Sequence, residues 1–188
     1  MAEQKAHRGL DANLLKLIAI AAMTADHIAW LLFPGYATGA LPVTLHIIGR
    51  ITCPIMCFFI AEGFHYTHDR KKYALRLLAL AVVSHFAYLF ASNSYVDWHS
   101  FIPFYYGDLL NQTGVVWSLL GGLLMLWLCE DEERGMGVKV AGVLLICLVT
   151  LPADWSCIAA LCVLSIGSNR GNPQKPIAWC LFYVAIYA

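Results

Sequence analysis

Residues 13–33 read Asn13-Leu-Leu-Lys16-Leu-Ile-Ala-Ile20-Ala-Ala-Met23-Thr-Ala-Asp26-His27-Ile-Ala-Trp30-Leu-Leu-Phe33. A bilayer crossing takes about 20 consecutive, mostly apolar residues, and this run is long enough. Inside it stand an aspartate and a histidine, Asp26 and His27. Ionisable groups at membrane depth are costly and raise a functional-site hypothesis by default. The rest of the chain reads as what surrounds and supplies that pair.

The composition agrees with a membrane protein. Apolar residues make up 60% of the 188-residue chain and charged residues 13%. A soluble domain is nearer half apolar and a quarter charged. The balance predicts an all-α, polytopic helical membrane protein, with residues 1–188 forming a single integral domain. Formal net charge is zero, and no basic tail is present, so nucleic acid is not an expected partner. The first apolar run lacks the short core and small-residue cleavage site of a signal peptide, so it is expected to stay as a span. The seven cysteines (Cys53, Cys57, Cys129, Cys147, Cys157, Cys162 and Cys180) fall mostly inside apolar runs. No C-x-x-C pair occurs, so they read as small hydrophobes, with no metal expected.

About seven transmembrane segments are expected. They run from about Asn13 to Phe33, Val43 to Tyr66, Tyr73 to Ala91, Thr113 to Cys129, Val138 to Leu151, Trp155 to Ile166, and from Pro176 onward. The last is about 13 residues, short of a full crossing, and reads as a re-entrant segment or, in preference, a truncated helix. Pro34-Gly35, Pro152-Ala153-Asp154 and the Gly/Asn/Pro stretch from Ser168 to Lys175 mark connections. Lys5, Arg8 and Lys16, then Arg70, Lys71, Lys72 and Arg76, then Arg134 and Lys139, then Arg170 and Lys175 flank alternate connections. By the positive-inside rule this predicts a cytoplasmic N-terminus in a bacterial inner or plasma membrane.

Depth sorts the ionisable residues. His27 lies roughly 20 Å along an outward-running helix, and Arg50 roughly 10 Å from the outer side of an inward-running one. Both fall in the outer half of the bilayer, where they could share a cavity. Lys16, Ile20, Met23, His27 and Trp30 follow helical spacing along one face, and Asp26 is turned about 100° from His27. A histidine takes protons at neutral pH, and a carboxylate can fix its tautomer. Its blander role is polar glue between helices. Arg50 reads as a functional group sharing that cavity, or as a side chain snorkelling outward. Glu62 reads as a substrate contact or as the partner of a neighbouring cation. Arg70, Lys71, Lys72 and Arg76 suit the phosphates of a nucleotide-like cofactor, or anionic lipid. The acidic run Glu130–Glu133 lacks EF-hand spacing and reads as a solvated helix end. His46, His65, His68, His85 and His99 are scattered and follow no ligand motif.

These residues resemble a known family. Leu10-Asp11, then Lys16-x-Ile18-Ala19-x-x-x-Met23-x-x-Asp26-His27, is similar to the opening of TraX-type membrane proteins. The likeness continues in Gly49-Arg50-Ile51-x-x-Pro54 and Phe58-Phe59-x-x-Glu62-Gly63-Phe64. It extends through Thr67, Lys72-Tyr73 and Arg76-Leu77, and Ala153-Asp154-Trp155 resembles a later Ala-Asp-Tyr element. The family's Tyr-Pro-x-His-Leu final helix is not matched, because the chain stops first. The resemblance implies a polytopic acyltransferase that takes an acetyl group from acetyl-CoA, in keeping with its likeness to the broader acyl-CoA-dependent membrane enzymes.

On that implication the expected acceptor is an amine or hydroxyl, on a peptide N-terminus or a glycan, at or beyond the membrane. His27 would act as general base or acyl carrier, Asp26 would orient it, and Arg50 would stabilise the oxyanion. Arg70, Lys71, Lys72 and Arg76 would hold acetyl-CoA, and Glu62 and Asp154 would contact the acceptor. Two other readings use the same residues. A proton-coupled transporter would use the buried ionisable groups as a relay, although no two-fold internal repeat supports it. A non-catalytic assembly subunit would tolerate single substitutions at His27.

Overall fold

A computed structural model describes residues 11–33, 38–92 and 112–170, with Gln174, Lys175, Ala178 and Phe182. Residues 93–111 of the expected aromatic connection at 92–112, the run beginning at Pro176 apart from Ala178 and Phe182, and Lys5, Arg8, His99 and Cys180 lie outside the described residues. Those described form an all-α protein of seven helices. They are α1 (Ala12–Leu32), α2 (Ala40–Arg50), α3 (Thr52–Tyr66), α4 (Arg70–Ser92), α5 (Val115–Glu130), α6 (Met136–Thr150) and α7 (Ser156–Ser168). The chain divides into two compact units, Met1–Met56 and Cys57–Ala188.

In the first unit α1 packs against α2. The buried positions of α1 are Ala19, Ala22 and Ala29. With Asp26 they recur every three or four residues and so share one face. Lipid offers no hydrophobic incentive for two helices to meet, so close backbone approach through small residues is what holds them. Gly49 shows how close the approach is. A Cβ there would stand 2.4 Å from the Asp26 Cβ. The Thr52 hydroxyl adds a tie, donating to the Ala19 carbonyl at 3.1 Å.

The expected second span is broken once. α2 ends at Arg50, and α3 restarts at Thr52. Pro54 accounts for the break. It has no N–H to offer the Arg50 carbonyl, and its ring crowds that carbonyl, so the helix restarts with proline in its first turn.

The second unit is organised around α5, which packs against α4, α6 and α7. Ser118 to Leu123, Met125 and Leu126 of α5 are buried. Phe64, Leu77, Leu120, Leu123 and Leu126 form the core, flanked by Tyr73, Trp127 and Leu164. Gly122 lets α7 close in: a Cβ there would lie 2.6 Å from the Val163 Cβ and 3.0 Å from the Ala160 Cα. The connection between α6 and α7 is tightly held. The Pro152 carbonyl accepts from the Gln112 and Thr113 N–H groups, and the Asp154 N–H donates to the Thr113 carbonyl at 2.7 Å. Trp155 and Ser156 both take positive φ, 66° and 47°, where non-glycine residues are uncommon. Surrounding bonds hold them there, including Ser118 Oγ to the Ser156 carbonyl at 2.5 Å.

Three stretches are long and apolar enough to cross a membrane: Ala12–Leu32, Ala40–Tyr66 taken as one run, and Arg70–Leu89. Val115–Glu130, Met136–Thr150 and Ser156–Ser168 are apolar but shorter. Of the seven expected crossings, three correspond among the described residues to stretches of full spanning length. A 15-residue helix covers about 22 Å, less than the roughly 30 Å hydrocarbon core.

Candidate functional site

The first polar site is built on the α1–α2 interface. Asp26 lies on the alanine face of α1, pointed at α2 by the same spacing that buries Ala22 and Ala29. Its Oδ1 lies 2.7 Å from the His46 Nδ1. Both side chains are about a quarter exposed, Asp26 at 26% and His46 at 22%. The His46 ring also lies against Trp30, with centroids 4.8 Å apart. The pair is therefore Asp26–His46, joining two helices.

His27 is placed differently. Its Nδ1 meets the Met23 carbonyl of its own helix at 2.8 Å, on an exposed part of α1. Lys16, Ile20, Met23, His27 and Trp30, the face singled out by spacing, are all exposed. Arg50 is half-buried in the last turn of α2, where a cation suits the negative end of the helix dipole.

A second polar site lies in the second unit, where the ends of α3, α5 and α7 meet the start of α4. Glu62 of α3 is bridged by Arg170, just past α7, with Nε at 3.1 Å and the terminal nitrogen at 3.3 Å. The Arg170 guanidinium also lies 4.8 Å from the Tyr66 ring centroid. The Glu62 hydrogen bond raises the Arg170 pKa above its ordinary value, against a smaller opposing effect of desolvation. Beside this pair, Arg70 meets the Glu130 carboxylate at 2.8 Å. His65 joins the same carboxylate at 3.4 Å, and its Nε2 meets the Gly167 carbonyl at 3.2 Å. Arg70 stacks over Phe64 with 4.2 Å to the ring centroid.

The expected phosphate-binding cluster is thereby divided. Arg70 faces Glu130. Lys72 contacts Asp69, with Nζ at 3.3 Å from the carboxylate, and the Lys72 N–H donates to the Asp69 Oδ1 at 3.0 Å, capping α4. That backbone bond, with smaller help from the Lys72 side chain, holds the Asp69 carboxyl below its ordinary pKa. Lys71 and Arg76 are exposed on α4. Asp154 belongs to the α6–α7 connection. The structure brings Asp26 to His46 and Glu62 to Arg170. The scattered histidines His46 and His65 are the residues that sequence reasoning passed over. Among the described residues, no group of three histidine, cysteine or acidic side chains is placed to hold a metal ion.

Two curated relatives place the chain. A probable fimbrial assembly protein, FimC, of Dichelobacter nodosus is 30% identical over 154 residues, covering 79% of this chain and 59% of that protein. An uncharacterized protein of Rickettsia prowazekii is 40% identical over 60 residues, covering 32% of this chain and 21% of that protein. The chain thus spans about three fifths and one fifth of the lengths of these relatives. No solved structure matches it. The first relative corrects the expectation of an acetyl-CoA acyltransferase acting on a peptide or glycan: the protein that aligns with most of the chain is named for fimbrial assembly. The family model described as TraX protein matches residues 11–188: this helical membrane protein belongs to the TraX family.

Proposed function

We propose that this chain is a non-catalytic membrane subunit of a fimbrial or conjugative-pilus assembly system. The observation that carries this reading is the alignment of 79% of the chain with a probable fimbrial assembly protein. The side-chain geometry supports it. Within the first unit Asp26 engages His46. Within the second, Glu62 engages Arg170, and Glu130 engages both Arg70 and His65. Each of these carboxylates joins one helix to another or to its flanking residues. Such polar ties fix helix register in a membrane, where van der Waals packing and hydrogen bonds do the work that hydrophobicity does in water. A subunit that presents a fixed helical scaffold to its partners needs such ties.

The proposed setting is the inner membrane of a bacterium, with the N-terminus in the cytoplasm. The alternation of lysine- and arginine-bearing connections supports that orientation. Seven crossings follow if α1, the α2–α3 run, α4, α5, α6, α7 and the run from Pro176 each traverse once.

The test is capture from native membranes. The full chain, tagged and cross-linked in the cells that encode it, should enrich components of the fimbrial assembly apparatus over an unrelated polytopic protein. Equal recovery of those components with both baits would end the proposal.

A further inference from the structure

The connection from α3 to α4 marks a membrane surface. The spanning run Ala40–Tyr66 ends there, and the spanning stretch Arg70–Leu89 begins. Tyr66 is 76% exposed, and tyrosine favours the level where lipid meets water. From that level α4 runs into the bilayer with two faces. Leu77 and Ala81 are buried, whereas Leu75, Val82, Val83 and Phe86 are exposed. At about 100° per residue, these four share one side of the helix with Lys71, Lys72 and Arg76. Lys72 stands between the other two cations around the axis. The exposed side of α4 is therefore apolar along its length and basic at its head.

The acids at this end are already engaged. Glu130 holds Arg70, Asp69 holds Lys72, Glu62 holds Arg170, and Asp131 holds Arg134. Glu132 and Glu133 are exposed on the connection after α5, and among the described residues neither pairs with Lys71 or Arg76. Lys71 and Arg76 are thus exposed cations that no acid of this chain balances. The Lys72–Asp69 pair is itself exposed, and such pairs are weak enough to exchange partners. Helix geometry aims the cations. Each Cα–Cβ bond tilts toward the helix N-terminus, which here is the membrane surface. Arg76 starts about 9 Å along α4, and its long side chain reaches back to the headgroup level.

We propose that Lys71, Lys72 and Arg76 bind the headgroup phosphate of an anionic phospholipid whose acyl chains lie along Leu75, Val82 and Val83. Ammonium and guanidinium groups take phosphate oxygens in charge-assisted hydrogen bonds. The apolar face directly below them selects a lipid over a free phosphate ester. The site stands apart from the assembly reading, and it holds whichever side of the membrane the α3–α4 connection faces.

The experiment titrates the full chain, purified in neutral detergent, with phosphatidylglycerol or phosphatidylcholine and reads the first bound lipid by native mass spectrometry. Phosphatidylglycerol should bind more tightly. Lys71→Gln with Arg76→Gln should weaken it about 25-fold, roughly fivefold per cation removed, and leave phosphatidylcholine unchanged. Lys71→Arg with Arg76→Lys should keep the binding. Arg134→Gln with Lys175→Gln removes the same charge elsewhere and should also keep it. Undiminished phosphatidylglycerol binding in the first pair overturns the proposal, as does an equal loss in the Arg134 and Lys175 pair. Glycerol 3-phosphate should not displace the lipid; displacement at matched concentration would assign the site to a free phosphate ester and overturn the lipid. Thermal unfolding checks the fold of each variant. If the first pair does not fold, Lys71→Gln alone decides, with a fivefold loss expected and no loss contradicting the site.

Discussion

Asp26 and His46 are 20 residues apart in sequence and 2.7 Å apart in the fold, joining α1 to α2. Gly49, one turn further along α2, makes the approach possible, because a Cβ there would overlap the Asp26 side chain. The aspartate of the Asp26-His27 motif and the glycine of the Gly49-Arg50 motif are thus two halves of one helix contact.

Gly49→Ala should be destabilising, by the roughly 1–3 kcal/mol typical of overpacking. Gly137, inside α6, has nothing within 4 Å of its Cβ position. Gly137→Ala should stabilise by up to about 1 kcal/mol through helix propensity alone. Thermal unfolding of the two variants in the same detergent checks the contrast. Equal shifts would remove the close approach from the account.

The outlines of the helices were legible because apolar run length and turn residues mark them directly. The sequence spans ending near Phe33, Tyr66 and Cys129 agree with α1, α3 and α5 within a residue or so. The face of α1 was not. Lys16, Met23, His27 and Trp30 stand out in the sequence because they are large or polar. The contact is made instead by Ala19, Ala22 and Ala29, whose smallness is the signal. Reading those alanines as the interface would have placed Asp26 on it and pointed to a partner on α2. His46 shares no local motif with Asp26, so only tertiary packing joins them. The break at Ile51 was written in Pro54, whose missing N–H acts four residues back.

The Asp26–His46 pair should behave as a helix tie. Asp26→Asn and His46→Gln should each lower stability, and the double variant should cost less than their sum. Interhelical polar pairs in membranes couple by about 0.5–2 kcal/mol, and a double-mutant cycle in detergent reads that coupling directly. Strict additivity would show that the contact contributes nothing.

Glu62 and Arg170 should be interchangeable in sign. Glu62→Arg and Arg170→Glu should each reduce the melting temperature, and the combined exchange should restore part of the loss. The gain should shrink with added salt, since both groups are partly exposed. A combined variant less stable than either single one would contradict the pairing.

Topology gives an independent check. In a cysteine-free background, Ser94→Cys should react with an impermeant maleimide added outside, and Ser168→Cys only after the membrane is opened. Reaction of both from outside would reverse the positive-inside assignment.

The most direct measurement is a count of surface fimbriae or pili on cells that lack this chain, carry it, or carry His27→Gln. An assembly subunit predicts that deletion removes most fibres, that the unsubstituted chain restores them, and that His27→Gln restores them equally. The exposed His27 ring has its Nδ1 on the Met23 carbonyl of its own helix, so its replacement should leave the scaffold intact. Fibre numbers unchanged by deletion, or fibres restored by the unsubstituted chain and not by a stably folded His27→Gln, would contradict the account.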